Sequence, residues 1–338
     1  MNPDWKNHLL ALGATIDHDA VQHFGNPAAE LRAAQGGNIV ADLSHFGLIA
    51  FNGEDSQTFL QGQVTCDVRQ VTPQQGQFGS LCTPKGRMLA TFLLWRRDGD
   101  YYMELPAALG ANIHKHLGKY VMRAKVKLRD ASAEFVRLGV AGEGAGALLK
   151  TLFGDLPQTP YAAFQSERGL LVALPGKRYE MRVAFDQADA LWQALRPNCT
   201  AVGAHCWDWL TIRAGVPAIL PATQEQFTPQ MANIELLGGV SFTKGCYTGQ
   251  EVVARTQYLG KVKRRLYLAH VDNGAAPQPG DVLAGSEHGL IVNAEAAPDG
   301  GFDVLAVIPM EDAEAGKMRL KTADGPLLQF QTMPYAVS

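Results

Sequence analysis

The sequence predicts an α+β fold with antiparallel sheets and a β-rich C-terminal domain, rather than a doubly wound parallel sheet. First, strand-like runs between residues 77 and 104 are separated by P-K-G and D-G-D, turn signals typical of antiparallel hairpins. Second, single helical stretches follow these hairpins, for example at residues 107–120. Third, residues from about 260 to 338 form a series of short strand-like runs, which is typical of a small all-β barrel or sandwich.

The first part of the chain is predicted to contain a helical lead-in, one strand and one short helix. Residues 1–35 are rich in Ala and Gln and are expected to form a loosely attached helical segment. Residues 47–53, G-L-I-A-F-N-G, read as a strand that ends in a turn. The D-S pair that follows is expected to cap a short helix carrying Phe59 and Leu60.

The middle of the chain alternates between strands and helices. V-K-L-R-D and residues 137–142 are predicted strands, and the second leads into the helix A-L-L-K-T-L-F. Asp186 begins another predicted helix, which ends before Pro197 because proline cannot continue it. Residues 207–215 are predicted to be helical, with Gly215 just past the end. Residues 216–243 then form a proline-containing irregular segment, and such segments inside compact domains are usually functional.

Composition and charge restrict the class of protein. The 338 residues are 46% hydrophobic, which is enough for real cores, and the net charge of −3 offers no global attraction for nucleic acid. We therefore do not expect direct nucleic-acid binding. The N-terminus lacks a signal-peptide pattern, and no apolar run is long enough for a membrane span, so we expect a cytoplasmic protein without a membrane partner.

The five cysteines show neither a disulfide framework nor a metal-site spacing. No two of them form C-x-x-C, and a chain of 338 residues does not need disulfide staples. We expect no metal site. Four cysteines lie in apolar surroundings and are expected to be unreactive: Cys66, Cys82, Cys199 and Cys206.

Cys246 lies in K-G-C-Y-T-G-Q-E-V-V-A-R, the most informative stretch of the sequence. Thr248 and Glu251 are spaced as a capping box, which predicts that a helix begins just after the cysteine. The helix dipole and the positive charge of Lys244 would both favour a thiolate at Cys246. The alternative is a cysteine that only packs against the fold, with Glu251 and Arg255 as an i,i+4 surface pair.

Other short patterns are weaker. G-E-G-A-G at residues 142–146 misses the G-x-G-x-x-G spacing, and K-G-R lacks the frame of a phosphate-binding loop. The basic run at residues 261–265 is interpreted as a solvated strand edge, with an RNA-facing patch as the lesser alternative. Trp207 and Trp209 are typical core residues, although an indole beside the irregular segment is also suited to stacking on a flat heterocycle.

The stretch S-F-T-K-G-C-Y-T-G-Q-E-V-V-A-R resembles the signature of the YgfZ family of folate-binding proteins, relatives of the aminomethyltransferase (T-protein) of the glycine cleavage system. Supporting matches, in the family's order, are F-L-Q-G-Q-V-T-C-D-V, P-K-G-R, I-R-A-G-V-P and F-T-P-Q-M-A-N-I. The resemblance spans roughly residues 40–335.

The resemblance implies two interleaved α+β lobes around a folate pocket, followed by a β-barrel. The implied division is a lead-in (1–35), the folate-binding lobes (36–256) and the C-terminal barrel (257–338). The implied cofactor is tetrahydrofolate or another reduced folate. The implied role is the synthesis or repair of iron–sulfur clusters in client enzymes, including tRNA-modifying ones, so the implied partners are those clients or the assembly machinery.

The resemblance also assigns individual residues. The motif cysteine corresponds to Cys246, with Lys244 and Arg255 as its motif neighbours. Folate contacts are expected from Phe46, Trp207, Arg213, Tyr247, Gln250 and Glu251. Phe46 stands where bacterial relatives carry a tryptophan, and this change keeps a stacking surface but removes the indole N–H.

The chain departs from the aminomethyltransferases at three positions. Those enzymes carry acidic residues where this chain has Ala90, Thr91 and Arg213. Aminomethyl transfer then has no evident general base, and we expect no glycine-cleavage activity. A folate-dependent one-carbon transferase remains the alternative function. A redox thiol enzyme is disfavoured because no resolving cysteine stands near Cys246.

Overall fold

A computed structural model describes residues 1–272 and 274–337. Its α-helices are α1 (Pro3–Ala11), α2 (Pro27–Gly36), α3 (Ser56–Gln61), α4 (Ala107–Val121), α5 (Ala145–Phe153), α6 (Phe185–Leu195), α7 (Ala204–Arg213), α8 (Gln250–Tyr258) and α9 (Met310–Ala315). Its strands are β1 (Thr15–Asp17), β2 (Ala20–His23), β3 (Ile39–Asp42), β4 (Phe46–Asn52), β5 (Gln77–Cys82), β6 (Met88–Arg97), β7 (Asp100–Pro106), β8 (Lys127–Asp130), β9 (Val136–Ala141), β10 (Ala163–Ser166), β11 (Gly169–Leu174), β12 (Arg178–Val183), β13 (Thr200–Val202), β14 (Arg264–Val271), β15 (Leu283–Ala284), β16 (Leu290–Ala296), β17 (Phe302–Pro309), β18 (Arg319–Leu320) and β19 (Leu328–Gln331).

The first lobe is built on an antiparallel five-stranded sheet with the order β5-β6-β7-β4-β8. The two predicted hairpins are confirmed. Asp98 and Gly99, both with positive φ, form the two-residue turn between β6 and β7. Such Asp-Gly turns match the right-handed twist of the strands that they connect.

The second lobe contains a six-stranded sheet with the order β10-β11-β12-β9-β3-β13, antiparallel except where β13 runs parallel to β3. Because β3 belongs to this sheet, the chain leaves the second lobe to build β4–β8 and then returns with β9. The two lobes are therefore interleaved, and the predicted α+β class with antiparallel sheets is confirmed.

The C-terminal region is rich in strands, as predicted. A four-stranded antiparallel sheet with the order β16-β17-β14-β19 packs with the short β15–β18 ladder around one apolar cluster. Closure of these strands into a barrel stays a prediction. The irregular segment 216–243 contributes Ile219, Phe227 and Ile234 to the core of the first lobe, each fully buried.

The expectation of a loosely attached N-terminal segment is wrong. Trp5 and Leu9 of α1 are fully buried in the core of the second lobe, where the Trp5 ring meets Trp192 edge-on. Trp5 also donates its indole N–H to the buried carboxylate of Asp42, at 2.8 Å. Burial of these side chains fixes the segment although its own sequence is Ala-rich and weakly patterned.

Within residues 1–272 and 274–337, no helix has both the length and the apolar character needed to cross a membrane.

Candidate functional site

A cavity of about 90 Å³ opens between the two sheets and adjoins an outer cleft of about 510 Å³. The two share five lining residues: Phe46, Pro106, Thr211, Val216 and Ala218. The cavity is mainly apolar, and the first three residues of the irregular segment, Val216, Pro217 and Ala218, form part of its wall. The C-terminal region contributes residues to the outer cleft, among them Asn293 and Glu295.

Phe46 and Trp207 both line the cavity, so the structure brings this predicted aromatic pair together. Trp207, in α7, is 2% exposed, and the Arg178 guanidinium lies 5.1 Å from its ring centre. The ring fits closely over Gly139 of β9, where an added Cβ would lie 2.6 Å from a ring carbon. A glycine is therefore required at position 139 for the indole to reach the cavity.

A buried charged cluster forms the polar wall of the cavity. Glu104 of β7 and Glu180 of β12 line it, and both are at most 5% exposed. Arg182 Nη2 lies 3.0 Å from Glu104 Oε2 and 3.1 Å from Glu180 Oε2, and Arg137 Nη1 lies 4.0 Å from Glu104 Oε2. Buried charges persist only when they are paired in this way.

The surroundings shift the pKa values of the two glutamates in opposite directions. Both carboxyl groups lie within 3.1 Å of the same Arg182 Nη2 atom. Burial raises the pKa of the Glu180 carboxyl well above its usual value, with Arg182 opposing this and the Glu104 charge adding to it. At Glu104 burial acts in the same direction, but Arg182, the neighbouring Glu180 carboxyl and Arg137 together outweigh it and lower the pKa.

Several polar atoms of the cluster are buried without a hydrogen-bond partner among the described residues. They are Glu180 Oε1, the Tyr161 hydroxyl, Arg137 Nη1, and Arg182 Nε and Nη1. Glu180 and Tyr161 line the cavity directly. Unpartnered buried polar atoms are costly, so these atoms at the cavity wall are available to a polar ligand or to water.

The sequence patterns did not predict that Glu104 and Glu180 lie together at the cavity. Glu104 stands inside the apolar strand Y-Y-M-E-L, and Arg178, Glu180 and Arg182 alternate with apolar residues in β12. A period of two places those three charges on one face of the strand. Charged residues inside otherwise apolar strands are the sequence signal that could have predicted this buried cluster.

The structure does not place Arg213 among the residues that line the cavity, and its expected folate contact stays a prediction. Arg213 is at the end of α7, and its Nη1 contacts Asp303 of β17 at 3.5 Å and the side-chain oxygen of Gln331. Its charge therefore joins α7 to the C-terminal sheet. Tyr247, Gln250 and Glu251 are likewise absent from the cavity lining. Thr91 does line the cavity, and its hydroxyl accepts from the Ile219 N–H.

The predicted capping box at the cysteine motif is wrong. Helix α8 begins after Gly249, and no side chain caps it. Gly249 has φ +86°, and an added Cβ would lie 2.5 Å from the Thr83 carbonyl oxygen, so the chain turns at this residue. Thr248 instead donates its backbone N–H to Gly62. Glu251 accepts from Arg255 at 3.0 Å, which confirms the alternative of an i,i+4 surface pair.

The expected role of Lys244 as a cation beside Cys246 is also wrong. The Lys244 side chain is buried, and its Nζ donates to the carbonyl oxygens of Val64 and Cys66, both at 2.7 Å. Burial lowers the pKa of this amine to about 8. Through its two hydrogen bonds the ammonium satisfies buried carbonyl groups inside the first lobe. The ammonium also lies 5.1 Å from the centre of the Tyr247 ring.

The cysteines divide as predicted into one exposed and four buried thiols. Burial raises the pKa of Cys66 and Cys82 to about 12 and that of Cys199 to about 11, and it raises the pKa of Cys206 as well. Cys82 ends β5 and Cys206 lies in α7, whereas Cys66 and Cys199 lie in irregular segments. The residues that the structure describes contain no cluster of three or more potential metal ligands.

Alkylation of the folded protein with iodoacetamide is expected to modify Cys246 at least about tenfold faster than any other cysteine, because buried thiols react only after local opening. Site-resolved mass spectrometry measures the five rates. The same reaction in denaturant, where all five should be modified, is the control. Equal rates in the folded protein would show that Cys246 has no special accessibility.

Comparisons with known proteins agree with this architecture. The family model described as the GCVT N-terminal domain matches residues 18–241. The curated proteins named tRNA-modifying protein YgfZ from Klebsiella pneumoniae (strain 342) and Enterobacter sp. (strain 638) are 33% and 34% identical to this chain. Each match covers 87% of this chain and 92% of the relative.

A solved structure has the same fold. The glycine cleavage system aminomethyltransferase T from Bartonella henselae superposes with a TM-score of 0.77 over 99% of this chain and 98% of its own, at 16% identity. Identity this low supports a common fold alone. The curated relatives and the domain match together show that this chain belongs to the YgfZ family.

Proposed function

We propose that this protein binds tetrahydrofolate or another reduced folate and supports the synthesis or repair of iron–sulfur clusters in client enzymes, including tRNA-modifying ones. The observation that carries the folate part is the cavity: Phe46 and Trp207 on its apolar side, and the unpartnered Glu180 oxygen on its polar side. The family's name for its curated members, tRNA-modifying protein, supports the tRNA-related part.

The cavity residues suit a pterin. A pterin is a flat heterocycle, and aromatic side chains such as Phe46 and Trp207 provide stacking surfaces for it. One edge of a pterin carries an amino group and a ring N–H, which a carboxylate such as that of Glu180 accepts in parallel. The hydroxyl of Tyr161 and the guanidinium of Arg178 are donors for the acceptor atoms of the ring.

The outer cleft suits the rest of a folate molecule. Ala107 and Ala108, the first residues of α4, line it, and no side chain caps this helix. A helix N-terminus favours carboxylates such as that of the glutamate tail. Glu295 also lines the cleft, but burial and the Asp208 charge raise its pKa to about 8, so near neutral pH it is mostly protonated and uncharged.

Cys246 supplies the proposed sulfur chemistry. It is exposed, unlike the other four cysteines, and it does not line the cavity. Its thiol is therefore accessible to a cluster, a persulfide or a thiol of a client protein while folate occupies a separate site. Lys244 donates to a backbone carbonyl group, and no capping box forms at the helix that follows Cys246. The structural property that supports the reactivity of Cys246 is therefore its accessibility.

Cells that lack the protein test the iron–sulfur part of the proposal. Activities of several iron–sulfur enzymes, with at least one tRNA-modifying enzyme among them, should fall and should recover with a wild-type copy. A Cys246→Ala copy should fail to restore them. Thr243→Ala is a matched control, because Thr243 is an exposed residue of the same loop, and it should restore activity fully.

Two outcomes would contradict the proposal. Unchanged iron–sulfur enzyme activities in the cells without the protein would remove the proposed role altogether. Full recovery with Cys246→Ala, at equal protein levels, would show that the thiol takes no part.

A further inference from the structure

Arg178 differs from the other buried arginines of the protein. Among the described residues, four arginines are at most 6% exposed: Arg137, Arg178, Arg182 and Arg265. Three of them have a carboxylate oxygen within 4.0 Å, which Glu104 or Glu235 supplies. Arg178 is the exception, since no carboxylate of the described residues lies that close to its guanidinium. A buried cation without a paired anion is costly, so a ligand with acceptor atoms would stabilise Arg178.

The protein partners of Arg178 are neutral, and they leave one donor group free. Its Nε donates to the Pro175 carbonyl oxygen at 3.0 Å, and its Nη1 donates to the Thr211 hydroxyl at 2.5 Å. Nη2 has no hydrogen-bond partner among the described residues. The guanidinium also lies 5.1 Å from the centre of the Trp207 ring. These contacts fix the guanidinium beside the indole that lines the cavity, with the Nη2 group available to a ligand.

Arg178 is the one cation among the described residues that line the cavity. Burial lowers its pKa to about 10, so it keeps its charge near neutral pH. The carboxyl groups of Glu104 and Glu180 line the same cavity and would repel an anionic ligand. Glu180 Oε1 has no hydrogen-bond partner among the described residues. The wall therefore suits an uncharged group that offers an acceptor to Arg178 and donors to Glu180.

The order of donor and acceptor along β12 matches one edge of a folate pteridine. Residues 178 and 180 lie on the same face of this strand, about 7 Å apart along it. A folate pteridine carries a carbonyl acceptor at position 4, followed by the N3–H and 2-amino donors. In a 2,4-diaminopteridine an amino group replaces that carbonyl. It would present donors to the Arg178 guanidinium, which has donors alone.

We infer that Arg178 selects the carbonyl group at position 4 of the pteridine, so that the cavity binds folates and rejects their 4-amino analogues. This inference rests on the proposed function, since it concerns the same cavity. The selectivity arises because a buried donor that faces another donor leaves both groups without an acceptor. Sites built to hydrogen-bond a ligand group discriminate strongly against an analogue that lacks it.

Calorimetric titration with two reduced ligands, under argon near pH 7, tests the inference. The ligands are tetrahydrofolate and tetrahydroaminopterin, which differ in the carbonyl or amino group at position 4. The wild-type protein should bind tetrahydrofolate at least about tenfold more tightly, the usual effect of one hydrogen bond to a charged group. The ratio of the two affinities is the informative quantity, because a general defect of the cavity weakens both ligands alike.

Arg178→Met removes the guanidinium and keeps an unbranched side chain. This variant should bind tetrahydrofolate at least about tenfold more weakly, and its preference over tetrahydroaminopterin should fall below about threefold. Arg168→Met is the matched control, because Arg168 is exposed in the turn between β10 and β11. It should keep the wild-type preference.

The possible failures can be told apart. Absence of tetrahydrofolate binding by the wild type would overturn the folate proposal, and the inference with it. Equal wild-type affinities for the two ligands would overturn the inference alone, as would a wild-type preference that persists in Arg178→Met. If Arg178→Met does not fold, Arg178→Lys replaces it. The preference should fall in that variant too, because an ammonium does not reproduce the planar guanidinium, and an unchanged preference would contradict the role of Arg178.

Discussion

Replacing Arg182 by methionine is expected to lower the free energy of unfolding by about 3–5 kcal/mol, the usual cost of removing one partner of a buried ion pair. Arg182 is fully buried, bridges both glutamates through Nη2, and lies 4.9 Å from the centre of the Trp95 ring. Without it, Glu104 keeps a buried charge supported only by the more distant Arg137. Urea unfolding followed by circular dichroism measures the change.

The control for this variant is Arg168→Met. Arg168 is exposed in the turn between β10 and β11, and its loss should change stability by less than about 0.5 kcal/mol. A loss below about 1 kcal/mol for Arg182→Met would contradict a stabilising ion pair between Arg182 and these two carboxyl groups.

Replacing Gly139 by alanine is expected to destabilise the protein by about 1–3 kcal/mol and to weaken tetrahydrofolate binding by at least about tenfold. Gly139 pairs with Glu180 across β9 and β12 and touches the Trp207 ring. An added methyl group must displace the indole, because a Cβ at this position would lie 2.6 Å from a ring carbon of this buried residue. Urea unfolding and calorimetric titration measure the two effects.

Gly118→Ala is the matched control for this substitution. Gly118 is exposed in α4, and an added Cβ would meet nothing within 4 Å. Alanine should be neutral or slightly stabilising there, because it has the higher helix propensity. A Gly139→Ala protein that binds tetrahydrofolate as tightly as the wild type would show that the position of Trp207 does not matter for the ligand.

Local signals predicted much of the fold. The Asp98–Gly99 turn specifies its hairpin within a few residues, and the end of α7 before Gly215 follows from the chain itself. Strands β10–β12 were not predicted, because the charged residues in β12 disrupt the apolar pattern that marks a buried strand. The packing of Trp5 was not predictable either, since its partners come from distant parts of the sequence.

The site was predictable only in part. The exposure of Cys246 and the meeting of Phe46 with Trp207 agree with the sequence-based expectations. The predicted role of Lys244 beside Cys246 was wrong, because nearness in sequence does not fix the direction of a side chain. The Lys244 ammonium instead donates to the carbonyl oxygens of Val64 and Cys66 in another segment. The pairing of Glu104 with Glu180 depends on how two sheets meet, which no local pattern contains.

Tryptophan fluorescence titrated with tetrahydrofolate tests the folate cavity most directly. The wild-type protein should show saturable quenching, because Trp207 lines the cavity. A Trp207→Phe variant should lose most of the quenching while calorimetry still detects binding, which assigns the signal to this one of the five tryptophans. Absence of both quenching and heat in the wild type would contradict the assignment of this cavity to a reduced folate.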